Sequence, residues 1–240
     1  MRKNLLRSTA LSAAAVSLAL LVTACGSEDK AADKPADAGK GGGATSSAPE
    51  APAAKGKTDA EVKALLVTQA ELPKHLVKEP SADEAKGDPT AASDKAECKP
   101  LVQAQTFTAF GTPTGTGKVK IGSISSKSTG TAVTVASYDG KGAEEAFTAF
   151  KTAAGACAGG YTATQDGTPA KVSSVAPDAV TAGDEAAGTN ITIDAEGMKL
   201  VNNVVVVRKG HTLVTFSSVA LTGQTQQPKE VIEAQVKKLG

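Results

Sequence analysis

The apolar and polar positions divide the chain into three stretches with different periodicities. Residues 10–22 are a nearly continuous run of Ala, Leu and Val. Residues 26–57, "GSEDKAADKPADAGKGGGATSSAPEAPAAKGK", hold no large apolar side chain. From residue 58 onward apolar residues return at regular spacings, and a packed core belongs there. "TDAEVKALLVTQAELPKHL" opens that third stretch as a helix. Thr58 and Glu61 have the spacing of a capping box, and Val62, Leu65 and Leu66 fall on one face. Pro73 ends it, because the residue before a proline is pushed out of the α region.

Residues 78–96 are rich in Ala, Asp and Pro and read as a loop, followed by a short helix over 101–110 and a second loop, "FGTPTGTGKV". "KVKIGSISSKS" and "TAVTVASYDG" alternate in period two, as half-buried strands do. "GAEEAFTAFKTAAGAC" puts Ala146, Phe147, Phe150, Ala153, Ala154 and Cys157 on one helical face, with Glu144, Glu145 and Lys151 opposite. Strands are predicted at 161–165, 170–175, 187–194, 199–208 and 211–220, the last two forming a hairpin with Lys209-Gly210 at its tip. The run 204–207 is apolar on both faces, which places its strand in the middle of a sheet. A final helix starts with Pro228 in its first turn and buries Ile232, Val236 and Leu239. This order of elements predicts an α+β fold: an antiparallel twisted sheet packed by several α-helices, as one domain over 58–240.

The first stretch has another meaning. Arg2, Lys3 and Arg7 precede the apolar run, which at 13 residues is too short to span a bilayer, so residues 1–24 read as a signal peptide. "Val22-Thr23-Ala24-Cys25" resembles the lipobox of bacterial lipoproteins. That resemblance implies diacylglyceryl transfer to Cys25, which becomes the first residue of the mature chain on the outer face of the cell membrane. Each acyl CH₂ buried in the bilayer contributes about 0.8 kcal/mol, so two or three chains hold a domain there. Residues 25–57 are then the lipidated cysteine and a disordered tether. Its average reach is about 30 Å.

Charge narrows the function further. The chain has 26 Lys+Arg and 25 Asp+Glu. Three basic residues and no acidic ones leave with the signal peptide, so the mature chain carries −2. That balance argues against a nucleic-acid partner. Cys98 and Cys157 remain as a pair exported to an oxidising compartment, which is most simply a disulfide. A metal or redox pair lacks support, since there is no C-x-x-C and the only histidines are His75 and His211.

Catalytic motifs are missing. His75 in a polar turn and His211 beside a hairpin tip read as solvated loop residues, and no G-x-S-x-G elbow occurs. "GTPTGTGKVK" fails as a phosphate loop at Thr112 and Val119, and a glycine-rich connection explains it better. Asp184, Glu185, Asp194 and Glu196 lack calcium-loop spacing and read as solvated turns. Asn190-Ile191-Thr192 matches a glycosylation acceptor but lies in a predicted strand. Tyr138 and Tyr161 flank the amphipathic helix, either as cleft-lining rings or as ordinary strand-end residues. No metal or cofactor is called for, and the ligand-binding residues are not identifiable.

"LLVTQAELP", a cysteine in the loop after it, a strand ending "ASYDG", "AEEAFTAFKTAAGAC", paired hairpins and a last helix together resemble the extracellular sensor domain of actinobacterial PknH-type receptor kinases and its stand-alone lipoprotein relatives. The resemblance implies an antiparallel sheet packed by helices, with a ligand-sized cleft. Members often carry a tryptophan near the helix-terminal cysteine and a second disulfide; this chain has neither, and only Cys98 and Cys157 carry over. The expected function is that of a non-enzymatic, sensor-like domain binding a ligand or protein of the envelope. The alternative is an envelope lipid carrier with an apolar pocket.

Overall fold

The computed structural model describes residues 54–123, 129–195, 197–220 and 225–240. Cys25, the leader and most of the tether lie outside them, as does Glu196. The chain runs α1 (Asp59–Ala64), β1 (His75–Lys78), α2 (Ala82–Lys86), β2 (Ala92–Ser93), a 3₁₀ turn (Ala96–Cys98) and α3 (Lys99–Gln105). It continues through β3 (Gly115–Ser123), β4 (Thr129–Ser137) and α4 (Gly142–Ala156). Then come β5 (Tyr161–Gln165), β6 (Thr168–Asp178), β7 (Glu185–Ala195), β8 (Met198–Lys209), β9 (Thr212–Ala220) and α5 (Lys229–Lys238).

The strands form one nine-stranded antiparallel sheet in the order β1-β3-β4-β9-β8-β7-β6-β5-β2. The predicted α+β architecture is therefore observed, with β8 at the centre. Alternation along β8 explains why both of its faces are apolar. Val204 and Val206 join α3 and α4 in one core with Leu101, Phe147 and Phe150. Val205 and Val207 join α1 and α5 in a second core with Val62, Phe216 and Ile232. β5 to β9 form a continuous meander, each strand pairing with the next in sequence. No helix among the described residues is long and apolar enough to cross a membrane.

Several sequence expectations need correction. The 78–96 segment is not a plain loop. It contains α2, which has a capping box between Ser81 and Glu84 but no buried residue, and the short strand β2. α2 is held from outside: Lys120 pairs with Glu84, and Lys118 Nζ donates to the Ala85 carbonyl at 2.6 Å. The helix expected over 101–110 begins earlier, with Pro100 in its first turn, and stops at Gln105. Beyond it Phe107 takes φ 57°, outside helical geometry. The hairpin tip is Gly210-His211, one residue later than expected, because Lys209 still pairs with Thr212. Pro228 caps α5 rather than opening it. The buried face of α5 is Val231, Ile232 and Gln235, with Val236 and Leu239 only partly covered.

The supposed glycine-rich connection at 115–117 is the start of β3. A Cβ on Gly115 would lie 2.4 Å from the Thr58 carbonyl carbon and 2.5 Å from the Lys57 oxygen, so only glycine lets the chain entering α1 cross this strand. Residues 54–57, just ahead of the expected domain start, bond to the same end of the sheet. Gly56 N–H donates to Asp139 Oδ1 at 2.7 Å, Lys57 N–H to Ser137 Oγ at 2.9 Å, and Gly140 N–H to the Ala54 carbonyl at 2.9 Å.

The α2 cap titrates. The hydrogen bond from Lys120, together with those of Ser81, holds the Glu84 carboxyl down at about 2, below its ordinary 4.5. A depressed carboxyl stabilises the fold fully above its unfolded value and loses that contribution as pH falls toward the folded one. Hydrogen exchange at the α2 amides is therefore expected to accelerate as pH is lowered from about 4.5 to 2, after correction for intrinsic rates. In Glu84→Gln that acceleration should vanish; its persistence would refute the assignment.

Candidate functional site

A row of polar side chains crosses the sheet under the start of α5. Asn190, Asn203, Ser218 and Thr131 are register partners across β7, β8, β9 and β4. They bound the apolar patch of Val205, Phe216 and Val133. Ser218 and Thr131 hydroxyls lie 2.9 Å apart. Asn203, 1% exposed, donates through Nδ2 to Asn190 Oδ1 at 2.9 Å and to Asp178 Oδ2 at 2.7 Å. Gln227, in the segment before α5, donates from Nε2 to the same Asp178 oxygen at 2.6 Å and to the Ala179 carbonyl at 2.8 Å.

Asp178 is thus oriented by two neutral amides. It makes no ion pair among the described residues, and its Oδ1 accepts no hydrogen bond there. The contrast with other carboxylates is informative. Glu71 pairs with Lys238 at 2.9 Å, Glu185 with Arg208 at 2.7 Å, and Asp194 with Lys199 at 3.1 Å. Asp178 sits where β6 ends and the chain folds back over β7. Gly188 allows that return, since a Cβ there would come within 2.5 Å of the Asp178 carbonyl oxygen.

Two hollows meet at Asp178 and Ala179. One is a recess of about 670 Å³ bordered by His75, Asn190, Thr225, Gln227, Lys229 and Glu230. The other is an apolar groove of about 450 Å³ between α4 and β6–β7, lined by Ala154, Gly155, Ala158, Val175, Pro177 and Val180. Thr189 also lines the groove; it is 2% exposed and its Oγ1 has no hydrogen-bond partner among the described residues. Lys151 stands at the rim with its ammonium 5.5 Å from the Phe147 ring centroid.

His75 begins an edge strand rather than sitting in a solvated turn, and its Nε2 lies 3.2 Å from Glu230 Oε2. His211 is at the hairpin tip as expected, its Nδ1 2.8 Å from the Gly140 carbonyl oxygen. The two histidines belong to opposite ends of the sheet and share no site. Tyr138 and Tyr161 line no cleft. Both are core residues, 1% and 4% exposed, and burial raises both phenol pKa values. The Tyr138 hydroxyl donates to the Phe110 carbonyl at 2.8 Å. Asp184 and Glu185 are not merely solvated; both meet Arg208, at 3.8 and 2.7 Å. Among the described residues no group of three His, Cys, Asp or Glu is placed to hold a metal ion. Cys98 and Cys157 are bonded to each other, with Cα atoms 5.9 Å apart and both residues buried.

Sequence reasoning missed Asp178, Thr189, Asn203 and Gln227. One signal was available. "NNVVVV" puts Asn202 and Asn203 next to the apolar run of a central strand, so each face of that strand must carry a buried amide.

No protein-family model matches the chain, and no curated protein matches it significantly. Among solved structures it is similar to the extracellular domain of PknH from Mycobacterium tuberculosis, with a TM-score of 0.46 and 12% identity, covering 77% of this chain and 96% of that one. It is also similar to an uncharacterised Mycobacterium smegmatis protein, an Rv0999 ortholog, with a TM-score of 0.39 and 13% identity, covering 75% and 96%.

Proposed function

We propose that the chain is an extracytoplasmic binding domain, non-enzymatic and sensor-like, anchored to the outer face of the cell membrane through lipid on Cys25. One observation carries the binding role. Asp178 is a carboxylate held by two amides, with no ion pair among the described residues, in a recess that His75 and Lys229 also border. Its second carboxylate oxygen accepts no hydrogen bond among the described residues, which leaves it open to a donor on a ligand.

The position of the recess supports this reading. Residues 54–57 bind beside Ser137 of β4, while the polar row crosses β4 at Thr131. Six residues of strand separate them, about 20 Å. The recess therefore lies about that far along the sheet from the point where the described residues begin. The alternative, an envelope lipid carrier, asks for an enclosed apolar cavity; the apolar volume beside Asp178 is an open groove.

Two measurements test the proposal. Cys25→Ser is expected to move the protein from the membrane fraction to the soluble fraction with its thermal melting unchanged; retention in the membrane would refute the anchor. Native mass spectrometry of the protein purified from its host is expected to show a small bound ligand that Asp178→Ala loses. A diacyl lipid retained by that variant would favour the carrier.

A further inference from the structure

We propose that the open edge of β3 takes an extended segment of a partner protein as an added antiparallel strand, with an acidic residue opposite Lys118 between two apolar ones. This is a second surface, which shares no lining residue with the recess at Asp178. The edge is left open by the register of β1. β3 spans Gly115–Ser123, but β1 pairs only with 120–123. Continuing that register would set Pro80 opposite Lys118, and proline has no N–H to give. The chain turns away there into α2, which Ser81 caps. Successive residues of a strand send their backbone groups to alternate sides. Thr116 N–H points away from β4, since it donates to Asp59 Oδ1 at 2.7 Å. Lys118 N–H and its carbonyl therefore point the same way, and neither has a hydrogen-bond partner among the described residues. Such a donor and acceptor on one strand residue are matched by a second extended backbone, which exchanges both bonds with Lys118.

The open edge lines a cleft of about 500 Å³, room for a few residues of an extended chain. Its α1 side is apolar: Leu66, Val67 and Val77 stand beside Val119. In an antiparallel pair, side chains directly opposite each other lie on the same face. Residues opposite Gly117 and Val119 therefore turn toward that apolar wall. The residue opposite Lys118 turns to the other face, where the half-buried Lys118 side chain reaches α2. Lys118 pairs with no carboxylate among the described residues, and burial pulls its ammonium below the ordinary lysine value. It gives one hydrogen to the Ala85 carbonyl and keeps two for a carboxylate opposite. Of the other charged groups in the cleft, Asp59 is engaged by the Thr116 amide, and the exposed Lys63 and Glu79 are of opposite sign. Lysines blunt many sheet edges. Here the amines of Lys118 and Lys120 are drawn aside to Ala85 and Glu84 of α2.

The test uses three end-blocked pentapeptides: Thr-Val-Glu-Val-Thr, the same peptide with lysine at its centre, and the glutamate peptide N-methylated at that glutamate. The full chain is titrated with each, and NMR follows the amides of Lys118 and, at the recess, Asn190. The glutamate peptide is expected to shift the Lys118 amide and slow its hydrogen exchange while leaving Asn190 unmoved. N-methylation removes the donor to the Lys118 carbonyl and should weaken binding about tenfold, the scale of one backbone hydrogen bond. The lysine peptide should bind about threefold more weakly, the scale of one cross-strand charge pair. Lys118→Gln should erase the difference between glutamate and lysine peptides and keep the effect of N-methylation. If that variant loosens α2, the wild-type ranking still decides. Equal binding of the N-methylated peptide would overturn strand addition. Equal binding of the glutamate and lysine peptides would overturn the acidic residue, and no change at Lys118 with any peptide would overturn the site. A Lys118 amide protected before peptide is added would overturn the partner: protection that fades on dilution assigns the edge to a second copy, and protection that persists assigns it to residues 26–53 of this chain.

Discussion

Replacing both Cys98 and Cys157 with alanine is expected to destabilise the protein by about 4 kcal/mol. The bond closes a loop with a sequence separation of 59, and the chain-entropy model gives about that figure for the freedom returned to the unfolded state. Its position makes the loss structural as well. Cys98 ends the 3₁₀ turn that leads into α3, and Cys157 caps α4, so the bond ties together the two helices covering one face of the sheet. Both residues are fully buried in that core, and a pair of alanines leaves the space partly empty. Domains are typically stable by about 5–15 kcal/mol, so the loss is a large part of the total. The melting temperature should fall by roughly 8–16 °C for a domain of this size. A double variant that melts with the wild type would show that the bond adds nothing to stability.

Gln235→Leu is expected to cost about 3 kcal/mol although it makes the core more apolar. Gln235 is fully buried on the inner face of α5. Its Oε1 accepts from Val67 N–H at 3.1 Å and its Nε2 donates to the Leu65 carbonyl at 2.7 Å. One side chain thus satisfies both backbone groups of the turn that follows α1. Leucine fills a similar volume and strands both groups, each at about 1–3 kcal/mol. Gln235→Glu keeps an acceptor for Val67 but loses the donor to Leu65, so it should be destabilised as well. Urea unfolding midpoints check the series; a leucine variant within about 0.5 kcal/mol of wild type would show that the turn finds other partners.

The same residue shows where sequence periodicity ran out. Apolar spacing alone put Ile232, Val236 and Leu239 on the buried face of α5, because a glutamine reads as solvent-facing. The helix turns instead to bury Gln235 against the open backbone of the α1 turn, a demand set by a segment 168 residues away. Elements carrying their own period were legible: β3, β4, α4, the meander and the centrality of β8. The elements missed were those held by distant partners. β1 is four residues on a sheet edge, and α2 buries nothing and leans on lysines from β3. α2 did have a local signal, since Ser81 and Glu84 repeat the capping-box spacing recognised at Thr58 and Glu61. The site was less legible still. Asp178, Asn190, Asn203 and Gln227 come from three strands and a connecting segment, and only the sheet register brings them together.

The meander has a kinetic consequence. From β5 to β9 every strand pairs with its sequence neighbour, so each ladder closes only a short loop at small entropic cost. The β4–β9 ladder is different: Ser137 faces Thr212, and α4 with four strands of the meander intervenes. Local contacts form early, and pairings distant in sequence set the rate. The C-terminal half is therefore expected to assemble first, with the joining of β4 to its edge as the slow step. Until then β9 presents an unpaired strand edge, an opening for wrong partners during folding that β4 closes in the finished sheet.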